Sequence, residues 1–225
     1  MINKIFNRGK RKDNDGFYAQ GKEDFLVVQL LNLERPGLYI DVGAHHPVKL
    51  SNTYYLYQSG WRGICIEPNE DLIERYKQNR PQDSIYNIAV SNFEGEADFY
   101  MGQYTVHASL QSNKNTELAK RQVPVRKLEN ILDEKGVTDI DFLSVDTEGT
   151  EVDVLEGLNL NRYRPKLILA EYNTSSSANL ALQPYLLNNG YQLIFINTWN
   201  MLFSRDAEND LIQLYKNINL EIRPI

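Results

Sequence analysis

One cysteine, Cys65, is all that the 225-residue chain contains. No intrachain disulfide can form, and nothing demands an oxidising compartment, so a cytoplasmic location is expected. No stretch approaches the roughly 18 apolar residues of a membrane span. The opening MINKIFNRGKRKDNDG carries Lys4, Arg8, Lys10, Arg11 and Lys12 without the apolar core that a signal peptide needs after its basic start. Export by that route is not expected; residues 1–24 read as a basic, partly disordered arm and residues 25–225 as one domain. An excess of positive charge is missing as well. With 24 basic against 30 acidic residues, the net charge of −6 repels a polyanion, and no Asn/Asp-Pro-Pro-aromatic motif for base amines is present, so nucleic acid is not the expected partner.

At 42% apolar residues the chain is long enough to bury a full-sized core. From Leu38 onward, short apolar runs alternate with amphipathic stretches, the pattern of strands joined through helices into a parallel sheet. The runs predict strands at 38–42, 63–67, 84–90, 96–100, 140–146, 166–172, 191–197 and 210–215, with the last two able to pair antiparallel around MLFSRD. Leu50, Tyr54, Tyr57 and Trp61 share one helical face, and Gly60 can end that helix. Asn69 can cap a second helix, which Pro81 stops, and further helices are expected at 127–136, after Asp146, and over 180–189. Residues 101–124 show no period and are rich in Gln, Asn, Ser and Thr, which predicts a surface excursion covering a site.

Ligands of an open parallel sheet bind beyond the carboxyl ends of its strands. The predicted strands end on Asp41, Glu67, Asn87, Asp146 and Glu171. Gly43 lets the backbone turn sharply after Asp41 and approach a ligand closely. A pyrophosphate needs several free N–H groups there, whereas Pro47 removes one and His45 and His46 add bulk. Glu67, closing the second strand, can accept both hydroxyl protons of a ribose. A ribose without a pyrophosphate, beside an acid-lined turn, points to S-adenosylmethionine.

The blocks DVGAHHPVKLSNTYYLYQSGWRGICIEPN (41–69), YNIAVSNFEGEADFY (86–100), IDFLSVDTEGTEVDVLEG (140–157) and RPKLILAE (164–171), in that order, resemble the FkbM-type methyltransferases, a branch of the class I S-adenosylmethionine-dependent enzymes. The resemblance implies a Rossmann-like α/β fold: a mostly parallel seven-stranded sheet with one antiparallel strand and helices on both faces. It also implies O-methylation of a hydroxyl on a sugar, polysaccharide or natural-product precursor. Carried over by position, Asp41, Gly43, Ala44 and His45 would line the methionine half of the cofactor, followed by Ser51 and Asn52. Glu67 would hold the ribose, Asn87 and Ala89 would lie near the adenine, and Asp146 would face the methyl-transfer point.

Transfer to oxygen needs a base within hydrogen-bond reach of the hydroxyl. Asp146 and Glu171, from adjacent strand ends, are the candidates, with His107 from the covering segment. Asp146, Glu171 and Asn173 offer the oxygen ligands that a magnesium-like divalent cation prefers, but residues so far apart carry no ligand-spacing signature, so no metal is assigned. His45 and His46 point to opposite sides of an extended chain, leaving one for the cofactor and one for packing. Glu148 and Glu151 fit compensation of a helix dipole, although DTEG could also place Glu148 at the pocket, and Thr150 and Asp153 fit a capping pair. A nicotinamide-dependent oxidoreductase and a non-enzymatic cofactor-binding protein stand as alternatives, the first wanting a fuller set of glycines.

Overall fold

The computed structural model describes residues 16–100, 120–172 and 180–217. Helix α1 (Glu23–Leu30) precedes strand β1 (Leu38–Val42), helix α2 (Tyr54–Gln58) and strand β2 (Arg62–Ile66). A 3-10 turn (Glu70–Leu72) then enters α3 (Ile73–Asn79), followed by β3 (Ser84–Tyr86), β4 (Ala89–Val90), β5 (Gly95–Tyr100) and β6 (Lys120–Arg126). Next come α4 (Leu128–Glu134), β7 (Phe142–Val145), α5 (Glu151–Glu156), α6 (Leu160–Tyr163) and β8 (Leu167–Glu171). The described chain closes with α7 (Leu182–Asn188), β9 (Gln192–Ile196), β10 (Asn200–Ser204) and α8 (Ala207–Asn217).

The main sheet has seven strands in the order β3-β2-β1-β7-β8-β10-β9. All its pairings are parallel except those of β10, which runs antiparallel to both β8 and β9. Alternation along each strand sends side chains to opposite faces. Ile40 and Val42 of β1, Leu143 and Val145 of β7, and Ile168 and Ala170 of β8 pack with α4 to α7 through Leu128, Leu155, Tyr163 and Leu186. Tyr39, Phe142, Leu167 and Leu169 face the other way, onto α1, α2, α3 and α8 through Leu26, Leu56, Tyr76 and Leu214. This is a doubly covered, Rossmann-like α/β fold. Each buried large apolar side chain contributes roughly 1.5–3 kcal/mol, so both covered faces are needed to hold the strand ends in register.

Four expectations are corrected. Residues 84–90 are two strands rather than one: β3 joins the main sheet, whereas β4 enters a separate sheet of order β4-β6-β5, in which Phe99, Val123 and Val125 are buried. The excursion expected over 101–124 ends by Lys120, because residues 120–126 pair antiparallel with β5 from Tyr100↔Lys120 to Gly95↔Val125; residues 101–119 lie outside the described set. The segment 210–215 is helical. Ala207, Leu211 and Leu214 share the inner face of α8, while the antiparallel strand is the buried NMLFS, its apolar run flanked by β8 and β9. Residues 16–24, assigned to the arm on charge, are packed. Phe17 stacks on Tyr55 with ring centroids 4.9 Å apart, and Asp24 accepts the backbone N–H of Tyr18 and Ala19. Glu23, 1% exposed, accepts the amides of Asn197 and Asn200, tying α1 to the β9–β10 hairpin.

Candidate active site

The chain runs from β1 outward to β3 and returns on the other side of β1 as β7. That reversal is the switch point at which such sheets open a crevice. Glu67 follows β2, Asp41 lies in β1, Asp146 follows β7 and Glu171 ends β8, and these four strands are consecutive neighbours. All four carboxylates line one cavity of about 410 Å³, inside the range of about 300–1,000 Å³ usual for small-ligand sites. Gly43, Ala44, His45, Ser51, Asn52 and Ala89 share its wall.

The turn after β1 is tightly determined. Gly43 has φ 74°, and its N–H and that of Ala44 both donate to the Ile66 carbonyl, at 3.0 and 3.1 Å. A Cβ on residue 43 would lie 1.7 Å from the carbonyl oxygen of Asp146, so glycine is what allows the β1 and β7 ends to close up. His45, also at positive φ (45°), donates its N–H to Glu67 Oε2 at 2.8 Å, while Asn69 N–H donates to Oε1 at 2.7 Å. Glu67 is therefore turned inward and oriented by one bond to each oxygen, and each oxygen retains a lone pair. Burial pushes its pKa up to about 7 against those two bonds. His46 Nδ1 accepts the N–H of Val48 and Lys49, so this ring braces the turn, while His45 lines the cavity. Burial lowers the pKa of both rings and keeps them neutral at physiological pH.

Beyond β7 the expected capping pair does not form. The Thr150 side chain makes no helix cap; Glu151, 1% exposed, accepts with Oε1 the N–H groups of Thr147 and Gly149 and the Thr147 hydroxyl. Glu151 thus staples the 146–149 loop, which a dipole argument alone misses. Glu148 sits in that loop at φ 56°, and oxygens of Asp146, Glu148 and Glu171 come within 4.8 Å of one another. Glu148 thus stands beside the two acids; Asn173 and His107 lie outside the described residues. Burial, then Glu171 and Glu148, raise the Asp146 pKa well above its ordinary value. Burial, then Glu148 and Glu151, raise Glu171 to about 8. Glu171 Oε2 is buried without a hydrogen-bond partner among the described residues.

Asn87 departs from its expected place. Its amide donates to the carbonyls of Glu67 and Pro68, and Ile88, Ala89 and Val90 form the wall instead. Sequence reasoning also missed Gln20, Phe99, Trp199 and Asn200, all on the cavity. Asn200 carries a legible signal only once β10 is recognised, because it pairs with Glu171 in the sheet register. Asn52 donates to Ser144 Oγ at 3.2 Å, and Ser51 Oγ accepts the N–H of Thr53 and Tyr54 at the start of α2.

A doubly covered sheet with this strand order and an acid-lined cavity at its switch point is the Rossmann-like architecture of class I methyltransferases. Residues 41–193 match the model of the Methyltransferase FkbM domain, and the chain belongs to that family. The 2-O-methyltransferase NoeI of Sinorhizobium fredii (strain NBRC 101917 / NGR234) is 26% identical over 129 residues, 49% of this chain and 53% of NoeI; the chain thus spans about half the length of this relative. Among solved structures, a precorrin-6y C5,15-methyltransferase from Geobacter metallireducens aligns with TM-score 0.47 at 11% identity, over 85% of this chain and 95% of that one. The 1,6-didemethyltoxoflavin-N1-methyltransferase of Burkholderia thailandensis, solved with S-adenosylhomocysteine, aligns with TM-score 0.42 at 13% identity, over 90% of this chain and 83% of that one. Among the described residues, no helix is long and apolar enough to cross a membrane.

Proposed function

We propose that the protein is an S-adenosylmethionine-dependent O-methyltransferase acting on a hydroxyl of a sugar, polysaccharide or natural-product precursor. The observation that carries this reading is the convergence of Asp41, Glu67, Asp146 and Glu171 on one cavity at the sheet's switch point. The 2-O-methyltransferase activity in the name of NoeI supports oxygen as the acceptor. An acid-lined cavity in a chain of net charge −6 favours a small molecule or glycan over a nucleic acid.

The donor set fits the cofactor. Gly43 lets the β1 turn close against the Asp146 carbonyl, which holds the carboxylate-bearing strand ends together around the cavity. Glu67 presents two oriented oxygens, each able to accept one of the two vicinal ribose hydroxyls, and each hydrogen bond to a charged acceptor is worth roughly 1.5–3 kcal/mol. When bound, the cofactor supplies an activated methyl group on a sulfonium. The protein's task is to hold the acceptor hydroxyl in line behind that carbon and to take its proton. Glu171 and Asp146 stand at the acceptor end. An acceptor hydroxyl can take the place of the partner that Glu171 Oε2 lacks among the described residues, and a carboxylate whose pKa is raised to about 8 is a stronger base than an ordinary one.

Two measurements follow. Glu67→Ala should weaken S-adenosylmethionine binding at least tenfold, about 1.4 kcal/mol; unchanged affinity by calorimetry would remove Glu67 from the site. The rate of methyl transfer should rise with pH through a midpoint near 8, because the base acts only when ionised. A rate that is flat from about pH 6.5 to about pH 9 would show that Glu171 is not the base.

A further inference from the structure

Behind the turn that lines the cavity sits Arg80, 1% exposed and at the end of α3. An arginine almost never lies so deep without partners, and this one has them on every nitrogen. Nε donates to Asp83 Oδ2 at 2.8 Å, in an ion pair with both side chains fully buried. Nη2 donates to the Tyr39 hydroxyl at 2.8 Å and to Thr53 Oγ1 at 2.9 Å. Nη1 reaches Ser51 Oγ at 3.3 Å and the Pro47 carbonyl at 3.4 Å. The rings of Tyr39, Tyr57 and Tyr76 lie around the guanidinium at 5.3–5.5 Å.

The two hydroxyls that accept from Arg80 each donate onward to an aspartate. Tyr39 OH donates to Asp83 Oδ2 at 2.6 Å, a branch that stays inside the core. Thr53 Oγ1 donates to Asp41 Oδ2 at 2.5 Å, a branch that ends on the cavity wall. A hydroxyl accepting from a cation and donating to an anion is polarised in both directions, and such a chain is stronger than its parts.

Resting on the cofactor reading above, we propose that Arg80 is a positioning residue which, through the Thr53 hydroxyl, orients the Asp41 carboxylate toward the ammonium group of the cofactor's methionine portion. The same side chain ties down Pro47 and Ser51, so one buried cation sets both the acid and the backbone that follows it. Burial raises the Asp41 pKa, while Arg80 and the Thr53 hydroxyl oppose that rise. The charged and titratable groups facing Asp41 are Arg80 and Tyr76 from α3, Asp83, Cys65 and Glu67 on the β2 side, and Asp146 beyond β7.

Removing Arg80 itself would strand Asp83 without its cation, a change expected to harm folding whatever Arg80 does for the ligand. Thr53→Val separates the two roles, since it keeps the shape and the Arg80–Asp83 pair and removes the one hydroxyl that accepts from Arg80 and donates to Asp41; Thr53→Ala is the second choice if the valine variant does not fold. Binding of S-adenosylmethionine, measured by calorimetry, should be about tenfold weaker in Thr53→Val at about pH 7.5, and the deficit should grow as the pH falls and Asp41, left with the Ser144 hydroxyl, takes up a proton more readily. Thr53→Ser should restore both affinity and pH profile. Tyr39→Phe, which cuts the branch that never reaches the cavity, should leave them unchanged. Glu67 titrates in the same window in every variant, so the difference between variants is the readout. If the unaltered protein binds but Thr53→Val matches it at every pH, or if Tyr39→Phe produces the same pH-dependent loss, the relay is overturned and the cofactor reading stands. If the unaltered protein does not bind the cofactor, both fall together.

Discussion

Replacing Glu171 with glutamine should slow methyl transfer by about 10²–10⁴-fold and at the same time make the protein more stable above pH 8. The two effects share one cause. Glu171 lies beside Asp146 and Glu148, with oxygens of the three within 4.8 Å of one another, and its pKa is moved from the ordinary 4.5 to about 8, first by burial and then by Glu148 and Glu151. A group whose folded-state pKa is raised contributes fully to stability when protonated in both states, and that contribution is lost as the pH climbs through its folded value. The loss in the unaltered protein therefore develops between about pH 4.5 and about pH 8. Glutamine has no proton to lose. Its gain should grow across the same window to roughly 3–5 kcal/mol, the order set by a pKa moved from 4.5 to about 8. Thermal melts at about pH 5 and about pH 9, with initial rates, test both parts. Equal melting shifts at the two pH values would show that Glu171 is not held protonated, and a rate within threefold of the parent would remove it as the base.

Gly43→Ala should abolish measurable cofactor binding and destabilise the fold by roughly 2–4 kcal/mol, the sum of a left-handed alanine and an overpacked contact. The obstruction is backbone rather than a movable side chain: the new Cβ would meet the Asp146 carbonyl oxygen at 1.7 Å and its carbonyl carbon at 2.7 Å. Relief requires β1 and β7 to part at the switch point, which breaks the bond from Asp146 N–H to the Val42 carbonyl. Gly136→Ala is the control. Its φ is also positive, at 64°, but nothing lies within 4 Å of the added carbon, so it should cost only about 1 kcal/mol and leave binding intact. Comparable losses in the two variants would mean that the close approach at residue 43 is unimportant.

Elements whose own residues carry a strong period were legible. The run LYIDV is apolar except for Asp41 because β1 is covered on both faces, and the Asn69 cap is visible because asparagine accepts locally, here from Asp71 N–H. The elements misread depend on partners distant in the chain. NMLFS is short enough to pass for a loop until β8 and β9 flank it. DLIQLY alternates like a strand, yet its inward residues fall on one side of a helix once Ala207 is counted. Residues 120–126 have no hydrophobic signal beyond Val123 and Val125, and become a strand only against β5. The acidic arm of the site was visible from strand ends alone, whereas Trp199, Asn200 and Gln20 reach the cavity through a hairpin and an N-terminal segment that no local pattern connects to it.

What the amino-acid order determined by itself is the set of chemical groups at the ends of covered strands: a glycine that permits a sharp turn, and carboxylates placed where periodicity stops. Those properties are local, since they depend on steric freedom and alternation over a few residues. Only the tertiary structure decided that Glu148 stands beside Asp146 and Glu171, and that Arg80 reaches Asp41 from behind through the Thr53 hydroxyl. Charge interactions act through space within a few ångströms, between groups brought together by packing from opposite ends of the chain, so their strength is a property of the fold and is written in no single stretch of it.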